Sequence, residues 1–190
     1  MINPFSKQCN TEYFDITDTN LNYELSTCLH NRLAGLEGKA VTPVFLCIGT
    51  DRATGDCLGP LVGMKLRDFN ISYDIYGTLD APVHALNLKD TIEYIHRNYD
   101  NPFIIAIDAA LGNPAHVGFI TVSDCPMEPG KGVNKKLPII GDISITGIVN
   151  VSGRHDSVLQ TTRLYTVMQL ANSIAEALRD CLNKKTCEAH

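Results

Sequence analysis

Val44-Phe45-Leu46-Cys47-Ile48-Gly49-Thr50-Asp51-Arg52-Ala53-Thr54-Gly55-Asp56-Cys57-Leu58-Gly59-Pro60 is the stretch that decides the fold. It begins as an unbroken apolar run, passes through a loop of Thr, Asp and Gly, and ends on a proline suited to the first turn of a helix. An apolar run without alternation marks a strand buried on both faces, as in a parallel sheet. A second strand of this kind, Phe103-Ile104-Ile105-Ala106-Ile107-Asp108, also ends on an aspartate. In an open α/β sheet the carboxyl ends of neighbouring strands share one crevice, and ligands bind there. Asp56 and Asp108 are therefore expected in one crevice, where two carboxylates can share a proton or hold a metal ion.

Outward from these strands the chain reads as one α/β domain. Leu21, Leu25, Cys28, Leu29, Leu33 and Leu36 recur at helical spacing. Strands are expected over 42–49, 72–79, 102–108, 117–122 and 143–151, and helices over 58–69, 86–98 and 157–183. The order gives an α/β three-layer sandwich with a mostly parallel sheet and helices on both faces. Residues 1–40 read as an N-terminal arm and a helix packing on the core, with no regular element before Asn20. Residues 41–190 form the domain proper. Repeats, low-complexity tracts and internal linkers are absent from the sequence.

Composition narrows the function. The 190 residues carry a net charge of −5 and no basic stripe, which argues against nucleic acid as a partner. No apolar run reaches the roughly 18 residues of a membrane span. The polar, acidic N-terminus resembles neither a secretory signal nor a transit peptide, so a cytoplasmic location is expected. Seven cysteines, an odd number without CxxC spacing, read as reduced thiols. A homo-oligomer is compatible with all of this.

The candidate residues carry competing readings. Asp56 precedes a helix, where aspartate is favoured as an N-cap, so capping and catalysis both stand. Asp108 follows five apolar residues and should be buried, which demands a partner or a shifted pKa. His84, after the 72–79 strand, falls on the same edge and reads either as a packed loop residue or as part of the site. Gly130, Lys131, Gly132, Asn134 and Lys135 lie in a long loop and could hold an anion or a substrate backbone. The glycines at 49, 55 and 59 have the wrong spacing for a dinucleotide turn, and the Walker lysine pair is absent. Cys57 lies beside Asp56, whose charge raises a thiol pKa rather than activating it.

Three of these segments carry a family resemblance. Gly49-Thr50-Asp51-Arg52, Gly55 to Gly63 and Pro82-Val83-His84-Ala85-Leu86-Asn87 resemble the YyaC-type sporulation proteins of endospore-forming bacteria. More distantly, the chain is similar to the spore germination protease. Asp56 to Pro60 matches that enzyme's Asp-Ala-Leu-Gly-Pro run, and Ile104 to Ala109 its strand ending Asp-Ala. Ser123-Asp124 and Pro129-Gly130-Lys131-Gly132-Val133-Asn134-Lys135 match its Ser-Asp loop and glycine-rich run. Glu128 replaces a histidine of that pattern, and one glycine between Val133 and Asn134 is missing.

The resemblance implies the phosphorylase/hydrolase-like sandwich shared with hydrogenase-maturation endopeptidases. It implies Asp56 and Asp108 as the catalytic pair of an aspartic-type peptidase acting on small spore proteins. It also implies substrate-binding roles for His84, Ser123, Asp124, Gly130, Gly132, Asn134 and Lys135. The expected cofactor is none, with a divalent ion such as nickel or zinc on Asp56, Asp108 and His84 as the variant. The other functional expectation is a non-catalytic peptide- or protein-binding factor of sporulation using the same crevice.

Overall fold

The computed structural model describes residues 9–36, 38–129, 137–152 and 158–188, with side chains described as far as 183. In chain order the elements are β1 (Thr11–Asp15), α1 (Leu21–Ala34), β2 (Thr42–Cys47), α2 (Leu58–Asp68), β3 (Asp74–Tyr76), α3 (Leu88–Asn98), β4 (Pro102–Gly112), β5 (Phe119–Ser123), β6 (Ile143–Val151) and α4 (Leu164–Glu188). One six-stranded sheet has the order β1-β5-β6-β4-β2-β3. The four strands β6, β4, β2 and β3 are parallel, β5 runs antiparallel to β6, and β1 antiparallel to β5. The fold is a mixed α/β sandwich with a mostly parallel sheet.

The continuous apolar runs have their explanation in the two covered faces. Successive strand residues point to opposite sides. Phe45, Cys47, Ile105 and Ile107 pack in the larger core, with residues of α1, α2 and α4. Val44, Leu46, Ile104 and Ala106 pack in the smaller one, with Leu88 and Ile95 of α3. Where α2 starts, a Cβ on Gly59 would collide with the Ile48 carbonyl, so only glycine lets the helix begin this close to the end of β2. Among the described residues, no helix is long and apolar enough to cross a membrane.

Several details depart from the sequence reading, and the strand expected over 72–79 is shortened to β3, Asp74–Tyr76. Residues expected to be an irregular arm contain β1, a strand with Phe14 as its one buried residue. So little burial at a sheet edge leaves almost no periodic signal. β4 runs on to Gly112, four residues past Asp108. α4 begins at Leu164 rather than at 157. The cysteines are not all reduced: Cys9 and Cys125 form a disulfide across 116 residues of sequence. The reason is the pairing of β1 with β5, which sets Thr11 opposite Ser123. Continuing that register by two residues brings Cys9 opposite Cys125, with their Cα atoms 5.6 Å apart. Cys28, Cys47 and Cys57 are buried thiols, and Cys181 is buried as well.

Candidate functional site

The crevice forms where β2 ends. The Ile48 N–H donates to the Ile107 carbonyl at 2.7 Å, and the Gly49 N–H turns away to the Val83 carbonyl at 2.8 Å. Gly49 has φ +140° and the Asp56 carbonyl lies where its Cβ would be. The Thr50 N–H closes the loop by donating to that same Asp56 carbonyl at 3.0 Å. These contacts fix Asp56, half-buried, against the end of β2 in a 3-10 turn spanning Thr54–Cys57. The N-cap residue of α2 is Cys57, and it makes no side-chain cap bond. Asp56 is thus not the N-cap that its position suggested.

Asp108 lies one residue past the last β2–β4 pair, Cys47 with Ile107. Alternation puts its side chain on the same face as Ile104 and Ala106, and it is only 7% exposed. Its Oδ1 accepts the Ala109 N–H at 2.7 Å. Burial, and after it the negative charge of Asp56, push the Asp108 carboxyl well above the usual range, against the opposing pull of the Ala109 N–H. Asp56 therefore acts electrostatically on Asp108. Burial also raises the Cys57 thiol, with the Asp56 charge adding to it, so Cys57 is not an activated nucleophile.

His84 stands on the other side of Gly49. Val83 bridges to Ile48 in parallel fashion, which carries His84 to the rim of the same edge. Its Nδ1 accepts the Leu86 N–H at 3.3 Å. Asn87 Oδ1 accepts the His84 N–H at 2.8 Å and holds this turn. Among the described residues, no three His, Cys, Asp or Glu side chains gather into a group that could hold a metal ion. Asp56, Asp108 and His84, the residues of the divalent-ion variant, are not gathered into such a group.

Ser123 and Asp124 lie elsewhere. Ser123 pairs with Ser144, which is level with Ala106, two residues below Asp108 and two strands away. Because β5 is antiparallel, its end points to the opposite edge of the sheet from the crevice. Ser123 Oγ takes a bond from Thr11 Oγ1 at 3.0 Å. Asp124 pairs with Arg32 Nε at 2.7 Å. The substrate-binding role expected of these two residues does not follow from their placement. Gly130, Gly132, Asn134 and Lys135 lie outside the described residues. Sequence reasoning missed Arg32, which joins α1 to Glu12 of β1 and to Asp124 and is 11% exposed.

Comparison with known proteins fits this architecture. Residues 13–177 match the family described as "Protein of unknown function (DUF1256)". The chain belongs to the DUF1256 family. It is 50% identical over 169 residues to the YyaC protein of Bacillus subtilis (strain 168), covering 88% of this chain and 82% of that one. Among solved structures it is similar to the [NiFe] hydrogenase maturation protease HycI from Thermococcus kodakarensis KOD1. That likeness has a TM-score of 0.50 at 16% identity and covers 82% of this chain and 99% of the other. At that identity the shared property is the fold. The DUF1256 match begins within β1 and takes in α1, so the N-terminal elements belong to the family's common structure.

Proposed function

We propose that this DUF1256 protein is a peptidase whose Asp56 and Asp108 form one acid–base pair, acting on small spore proteins during sporulation. The observation that carries the reading is Asp108: a buried carboxyl at the end of a central strand, driven toward its protonated form by burial and by the charge of Asp56. Carboxyl groups placed unequally in one crevice divide the acid and base roles between them. The half-buried Asp56 takes a proton from the attacking water, and its oxygen adds to the scissile carbonyl carbon. Asp108 gives its proton to the leaving amine as the C–N bond breaks. The two groups titrate as a coupled pair. The likeness in fold to a maturation protease supports peptide chemistry as the reaction class, and the spore substrate comes from the motif resemblance.

The test is proteolysis of an extract of small acid-soluble spore proteins between pH 4 and 8, beside the Asp56→Asn/Asp108→Asn double variant. Mass spectrometry should find discrete cuts that vanish in the variant. Identical cuts from both proteins, or none from either, would overturn the proposal.

A further inference from the structure

We propose that the free side of β4 from Ala109 to Gly112 receives an extended substrate peptide as an added strand, laid in the gap above Gly49 between β4 and His84. This inference rests on the peptidase reading and names how that site takes hold of its substrate.

The argument starts from unequal strand lengths. β2 ends at Cys47, level with Ile107, whereas β4 continues to Gly112 held by β6 alone. Ile107 points its carbonyl at β2, where it accepts the Ile48 N–H. Strand alternation then aims the N–H and C=O of Ala109 and Leu111 to the same, vacated side. The Gly112 carbonyl confirms the phase across the bulge in this ladder, because it accepts the Ser152 N–H on the β6 side. Among the described residues, the Leu111 backbone and the Ala109 carbonyl have no partner on the vacated side. The Ala109 N–H is taken by Asp108 Oδ1, a side chain standing where a neighbouring strand would offer a carbonyl. Both residues are half-buried.

The opposite wall fixes the occupant. Val83 bridges the far side of Ile48, so β4 and the segment running into His84 are separated by two strand spacings, about 10 Å. That is room for one strand and no more. A second copy of this chain would have to bring a sheet edge past the His84 segment, which blocks it. A single extended peptide fits, with Leu86, 82% exposed just beyond His84, available to its side chains. A peptide carbonyl that takes over the Ala109 N–H also releases Asp108 Oδ1, next to the bond to be cut. Strand addition and the freeing of the acid are then one event.

The test is amide hydrogen exchange followed by NMR on the Asp56→Asn protein, with a random dodecapeptide pool as probe and wild type assayed for cutting in parallel. The Leu111 amide should slow at least tenfold on adding the pool. Leu111→Pro, which removes an N–H that β6 does not use, should weaken capture about tenfold relative to Leu111→Ala. Protection without cutting would support the added strand and sink the peptidase reading. Cutting without protection, unaffected by Leu111→Pro, would overturn the added strand and leave the peptidase. Neither protection nor cutting overturns it too. So does an amide already slow without peptide, since a segment of the chain itself would then fill the gap.

Discussion

Asp108 sets an exchange between stability and activity at a single atom group. Its carboxyl binds a proton more readily in the folded chain than in the unfolded one. Folding is therefore favoured most below the ordinary carboxylate pKa of about 4, and that contribution is lost as pH rises through the raised folded value. Asp108→Asn removes the ionisable group. We expect the variant to melt a few degrees higher than wild type at pH 7–8, with the difference shrinking toward pH 4, as read by calorimetry. Peptide cutting should fall by roughly 10²- to 10⁴-fold in the same variant. In wild type, activity should decline on the alkaline side as Asp108 loses its proton. Asp56 and Asp108 were legible in the sequence because each follows an apolar strand whose edge is fixed by composition. Ser123 was not, because no local pattern tells whether a strand runs parallel or antiparallel to its neighbours.

At the scale of elements, the crevice exists because α2 is pressed onto the end of β2. The Ile48 carbonyl would meet a Cβ at position 59. Gly59→Ala should cost roughly 2–3 kcal/mol, measured by urea unfolding, since rigid backbone must shift to admit a methyl group. Gly49 is constrained twice, by φ +140° and by the Asp56 carbonyl, and Gly49→Ala should displace Asp56 and lower activity as well as stability. β6 matches its sequence expectation from Ile143 to Val151, and the buried cores of β2 and β4 follow theirs. The tail of β4 does not, because Ala109-Ala110-Leu111-Gly112 is half-exposed and looks like a loop. α4 starts late because Val158 and Leu159, apolar residues that read as the helix's first turn, lie in a turn ahead of it.

Over the whole molecule, the N-terminal segment is fastened from two directions. The Cys9–Cys125 bond ties β1 beside β5, and Arg32 binds Glu12 at 2.9 Å and Asp124 at 2.7 Å. A disulfide closing so long a loop contributes up to about 4 kcal/mol. Cys9→Ser should lower stability by up to that amount under oxidising conditions and by little once the wild type is reduced. Arg32→Met should cost about 1–2 kcal/mol, reduced from a fully buried pair because both carboxylates are partly exposed. Neither device could be seen in the sequence, since the disulfide spans 116 residues and Arg32 reaches forward from α1 to Asp124, beyond β5. The strand order has a consequence for how the chain is made. β6 lies between β5 and β4, yet it is the last strand to leave the ribosome. Until residue 151 emerges, β3, β2 and β4 can assemble alone, while β1 and β5 wait as a separate pair with nothing to join them to it. Both flanks of the place reserved for β6 are then open edges, each a template for foreign strands. The nascent protein is most exposed to mispairing just before its central strand arrives.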